Sequence, residues 1–110
     1  ASYRRQRQMC IRDRLIIETL NKYQLNEFQE DLIEEFSSGM VKRSELAIAD
    51  LKKPDVLCID EPKVYLDESG IQLLLDLLNY RETQKITSIL SSQESINALS
   101  NIERTIDLND

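Results

Sequence analysis

The chain has 110 residues, 41% hydrophobic and 31% charged, which fits one folded domain or a piece of one and excludes a disordered tail. It carries a net charge of −6, no histidine and two isolated cysteines, which excludes His-based catalysis within the chain, a disulfide framework and a zinc site. The isolated cysteines make a reducing compartment the expectation; no apolar run is long enough to cross a bilayer, and no apolar core of a secretion signal follows the basic first residues.

The segment "RQRQMCIRDR" at residues 5–14 fits no structural pattern, and residues 7–14 resemble a translated transposon adapter from a sequencing library. Residues 1–14 are therefore expected to be non-native, and residues 15–110 to form the domain. The alternative is a basic arm for nucleic acid. Five arginines against Asp13 make residues 1–14 +4, which leaves −10 for the rest of the −6 total. So acidic a domain is a poor binder of phosphate backbones, and no nucleic-acid partner is expected.

Apolar residues at helical spacing predict a short helix over 15–25. An acidic connector with room for a second short helix covers 26–35. Ser37 can cap a helix over about 38–51, whose apolar positions are Met40, Ala47 and Leu51. "KKPD" stops it, because the residue before proline disfavours helix. Residues 55–60 read as a strand without alternation, hence covered on both faces as in a parallel sheet. A leucine-rich core helix over 71–80, with Glu68 or Ser69 near its start, is followed by a strand candidate at 85–92. A short helix at 94–101 and a third strand candidate at 104–109 complete the chain. Alternating helices and strands predict an α/β fold of right-handed βαβ units, with Tyr65 and Tyr80 as packing residues.

Two adjacent carboxylates, Asp60 and Glu61, close the first strand in "DVLCIDEP". Parallel α/β sheets bind ligands at the carboxyl ends of their strands. A hard cation such as Mg²⁺ would explain one carboxylate, and orientation of a water the other. The alternative is a pair of solvated residues at a strand end.

"FSSGM" at residues 36–40 resembles the signature motif of ATP-binding-cassette (ABC) ATPases. "VLCIDEP" resembles their Walker B strand, "YLDESG" their D-loop, "SILSSQES" their switch strand and "ERTIDLND" a closing strand, all at family spacing. The resemblance covers residues 15–110 and implies part of a P-loop NTPase fold, with parallel strands and flanking helices. It implies Mg²⁺ held by Asp60 through a water, an attacking water polarised by Glu61, and ATP contacted in trans by Ser37, Ser38, Gly39 and Met40. Leu66 and Asp67 take D-loop positions, and Gln93 takes the switch position. The partners implied are a second ATP-binding subunit, head to tail, and a transmembrane permease, with the protein peripheral on the cytoplasmic face of the cell membrane.

Some positions depart from the family. Gln93 stands for a histidine, Val64 for a serine and Lys63 for a threonine, while Glu45 and Ile48 replace a small residue and an arginine. With only Gly39 and Gly70, no G-x-x-x-x-G-K-[ST] loop occurs, so the Walker A lobe is expected to be absent and the chain alone inactive. The leading expectation is a fragment of a transporter ATP-binding subunit. Its alternatives are a degenerate, non-hydrolysing partner subunit and a non-transporter ATPase of the same superfamily.

Overall fold

The computed structural model describes residues 2–93 and 104–108, with side chains from residue 11 onward. In chain order they form α1 (Ser2–Lys22), two short 3₁₀ turns (Asn26–Phe28 and Ile33–Glu35), α2 (Ser38–Lys52), β1 (Val56–Asp60), α3 (Glu68–Thr83) and β2 (Thr87–Ser91). None of the described helices is long and apolar enough to cross a membrane.

Helix α1 crosses the boundary expected at Leu15. Its first turns contain no glycine or proline and are rich in arginine and glutamine, which propagate helix well. Farther along the helix, Ile11 through Glu18 are all exposed. Among the described side chains, Thr19 in its last turn is buried, as are Tyr23 and Leu25 just beyond it. The Tyr23 hydroxyl donates to Asp50 Oδ2 at 3.0 Å, and Lys22 pairs with the same oxygen at 2.8 Å, which pins α1 to α2. Burial first, and then the charge of Asp50, hold the Tyr23 hydroxyl well above its ordinary pKa.

Ser37 caps α2 as expected, its Oγ accepting from the Met40 N–H at 3.2 Å. The helix ends at Lys53, which adopts the left-handed conformation one residue before Pro54. Leu46, Ala47 and Ala49 make its buried stripe, with Met40 half-buried beside them. Helix α3 starts earlier than the leucine run suggests, because Asp67 caps it by accepting from the Gly70 N–H at 2.8 Å. Leu74 and Leu77 fill the centre of the core from α3, each contributing about 2 kcal/mol by leaving water.

Strands β1 and β2 pair in parallel around α3, from Val56 opposite Thr87 to Asp60 opposite Ser91. The expectation that β1 is covered on both faces is corrected. Burial alternates along both strands. Leu57, Ile59 and Leu90 pack on the core, whereas Val56 and Ile89 are each 53% exposed and Cys58 is exposed. A continuous apolar run cannot say how many layers lie on it, and among the described residues the helices cover one face.

The third strand is also corrected: residues 104–107 have no regular structure and Leu108 is a bend, all exposed, so their apolar–polar alternation finds no ladder partner. The helix expected at 94–101 and the end of that strand at Asn109 lie outside the described residues. Tyr65, expected to pack, is 69% exposed, and Tyr80 is 42% exposed beneath the Lys53 ammonium, 5.6 Å from its ring centroid.

Candidate functional site

The carboxyl end of the β1–β2 pair brings together the side chains of Asp60 and Glu61 and the backbone of Gln93. Asp60, the last residue of β1, is exposed, and its Oδ1 accepts from Ser91 Oγ at 2.7 Å. Glu61 follows in the left-handed region at φ 49°, a conformation that costs a non-glycine residue about 1–3 kcal/mol. Several contacts hold it there. Its N–H donates to the Ser91 carbonyl at 2.7 Å. Its Oε1 accepts from the Gln93 N–H at 2.9 Å, and its Oε2 from Ser92 Oγ at 3.2 Å. Such a conformation persists where the surroundings over-determine it.

An ionised carboxylate has about four lone-pair positions, so Glu61 retains acceptor capacity for a water after these two bonds. Asp60 and Glu61 offer hard oxygen donors. That suits a cation such as Mg²⁺, which takes one or two carboxylates and keeps water and phosphate as its other ligands. Among the described residues no group of three or more metal-ligating side chains occurs, so any protein contribution here is of that sparse kind.

Lys42 Nζ donates to the Asp60 carbonyl at 2.9 Å, tying the second turn of α2 to the end of β1. Gly39, in the first turn, faces the loop after β1: a Cβ at this position would stand 3.0 Å from the Tyr65 carbonyl oxygen. The Ser37–Ser38–Gly39–Met40 turn is therefore joined to the carboxylate end through Lys42 and Tyr65. The Ser37 hydroxyl serves its own helix, and Met40 packs on the core.

Leu66 is half-buried, and its side chain lies against Gly70. Asp67 is the α3 cap. The Gly70 N–H, then the Ser69 hydroxyl at 3.0 Å, and then the Arg43 charge hold its carboxyl below the ordinary aspartate value. Arg43 donates to Gln24 Oε1 at 3.0 Å, and its buried Nε has no partner.

Sequence reasoning did not single out Lys42, Ser91 or Ser92. For the two serines the signal lies in the strand pairing, which sets Ser91 opposite Asp60 and Ser92 just beyond it, and register is not visible before the pairing is known.

Comparison with known proteins bears on the family of the chain. The family model described as ABC transporter matches residues 3–64. The chain is 29% identical over 97 residues to the ABC transporter ATP-binding protein YybJ of Bacillus subtilis (strain 168), covering 88% of this chain and 44% of that protein. It is 33% identical over 92 residues to the lantibiotic transport ATP-binding protein SrtF of Streptococcus pyogenes, covering 84% of this chain and 38% of that protein. The chain thus spans less than half the length of either relative.

Proposed function

Because the chain belongs to the ABC transporter family, we propose that it is part of an ATP-binding subunit that uses ATP and Mg²⁺ to drive transport through a membrane permease. The observation that carries this reading is the grip on Glu61, whose two carboxylate oxygens each accept a hydrogen bond from the end of the neighbouring parallel strand. A carboxylate held in that way, with acceptor positions to spare, can orient a water and take up its proton.

Asp60 would hold Mg²⁺ through a water, and bound Mg²⁺ would neutralise charge on the phosphate oxygens. The α2 N-terminus, at Ser37, Ser38, Gly39 and Met40, would meet the terminal phosphate of ATP bound by a second subunit. Helix starts offer N–H groups and a positive dipole end to anions. Gln93 would sit at the terminal phosphate as a neutral hydrogen-bonding group. Leu66 and Asp67 would line the contact between the two subunits. The working assembly is a head-to-tail pair of ATP-binding subunits beneath the permease, peripheral on the cytoplasmic face of the membrane.

In the full-length subunit, Glu61→Gln is expected to lower Mg²⁺-dependent ATP turnover by at least about 100-fold while ATP still binds. The 110-residue chain by itself is expected to hydrolyse no ATP above blank. Measurable turnover by that chain would overturn the assignment of the phosphate-binding loop to sequence outside it.

Gln93 favours a second reading, a partner subunit that binds nucleotide without hydrolysing it, because a glutamine cannot carry a proton as an imidazolium does. Under that reading Glu61→Gln leaves the transporter's activity nearly unchanged.

A further inference from the structure

Where the two strands end, two adjacent serines serve two adjacent carboxylates, one for one. Ser91 Oγ donates to Asp60 Oδ1 at 2.7 Å, and Ser92 Oγ donates to Glu61 Oε2 at 3.2 Å. The parallel register brings this about. Asp60 stands opposite Ser91 as the last pair of the ladder, and the Glu61 N–H, donating to the Ser91 carbonyl at 2.7 Å, keeps Glu61 beside Ser92 just past the strand ends. Successive side chains leave a strand on opposite faces. Ser91 and Asp60 accordingly meet on the exposed side, while Ser92 and Glu61 are both half-buried. A serine hydroxyl is attached directly at Cβ, so the strand that carries Cβ largely fixes where the hydroxyl can reach. Long acidic side chains without such a partner would spread over several rotamers.

We infer that Ser91 and Ser92 are positioning residues with separate tasks. Ser91 sets the carboxylate that holds the divalent cation, and Ser92 sets the carboxylate that orients the water. This rests on the nucleotide-hydrolysing reading given above. Neither serine touches the reacting atoms. Each fixes the rotamer of a group that does, which is the role of outer hydrogen-bond partners at metal and catalytic sites. The two bonds lie at an exposed and a half-buried position, so they contribute little to holding the fold together. The Gln93 N–H holds the other oxygen of Glu61 whatever side chain residue 93 carries, so the Ser92 bond is the part of this grip that a substitution can remove.

The test uses the full-length subunit with Ser92→Ala, Ser92→Thr, Ser91→Ala and Glu61→Gln. Ser92→Ala is expected to lower kcat about 10-fold with KM for ATP unchanged, and Ser92→Thr, which keeps the hydroxyl on Cβ, restores it. Ser91→Ala is expected to raise the Mn²⁺ concentration for half-saturation about 10-fold, read by electron paramagnetic resonance with a non-hydrolysable ATP analogue. If Ser92→Ala does not fold, Ser92→Cys, a near isostere with a weak donor, replaces it under the same criterion. Should Glu61→Gln abolish turnover while the Ser92 variant stays within about twofold of wild type, or the Mn²⁺ curve of Ser91→Ala not move, the inference is overturned and the hydrolytic reading stands. Should Glu61→Gln leave turnover unchanged, both are overturned.

Discussion

The two ends of the β1–β2 pair treat charge in opposite ways with the same kind of side chain. At the start of β2, Ser88 points to the covered face, and its Oγ accepts from Arg81 Nε at 2.9 Å. Arg81 also donates to the Thr87 carbonyl at 2.7 Å and is only 2% exposed. At the other end of β2, Ser91 and Ser92 turn their hydroxyls toward Asp60 and Glu61, the first exposed and the second half-buried. Arg81 lies inside the packed core, where it fastens α3 to β2. The carboxylates remain open to solvent and to whatever docks there. The contrast separates a charge that stabilises the fold from charges that are available for chemistry.

The largest effect expected is at the buried end. Arg81→Ala leaves a cavity and two acceptors without their donor, so it should lower unfolding free energy by about 3 kcal/mol in a denaturant titration. A loss under about 1 kcal/mol would mean that water enters and replaces the guanidinium, and the buried end would then not differ from the exposed one.

A matched pair of serine variants sharpens the comparison. Ser88→Ala removes a bond to a buried charged group and should cost about 1.5–3 kcal/mol. Ser91→Ala removes a bond at an exposed carboxylate and should change stability by no more than about 0.5 kcal/mol. Equal losses from the two variants would erase the distinction between the two ends.

The sequence carried this asymmetry unevenly. The Ser37 cap, the breaker at Lys53–Pro54 and the carboxylates after β1 were legible, because each depends on local chemistry at a fixed offset. Asp67 as the cap of α3 was available in the same way, from an aspartate just before the helix, but the leucine run drew attention to a later start. Arg81 looked like an ordinary basic residue in a last helical turn, since nothing local says that β2 folds back over it. The open face of β1 was illegible for a related reason: "VLCI" fits a buried strand equally well whether one layer or two lies against it. The pairing of Ser91 and Ser92 with Asp60 and Glu61 needed the register itself. Capping and breaking are properties of a few neighbouring residues, whereas coverage and register belong to the assembled sheet.

The smallest effect expected concerns pH, and it sets the two ends of α3 against each other. Asp67 caps the start of this helix beside the loop after β1, and Arg81 lies in its last turn. Hydrogen bonds from the Gly70 N–H and the Ser69 hydroxyl favour the ionised form of Asp67 and hold its folded pKa below the ordinary 3.8. Its contribution to stability is therefore fully present above that ordinary value. It is lost as pH falls from that value toward the lower folded one, because over this range the unfolded state binds a proton that the folded state does not. Amide hydrogen exchange at Gly70 and Ile71 should accordingly speed up on acidification below about pH 4 before exchange at Arg81 changes. Asp67→Asn, which can still accept a hydrogen bond but does not titrate, should remove this acid sensitivity. If both ends of α3 loosen together in wild type, the helix opens as one unit and the site end has no separate acid weakness.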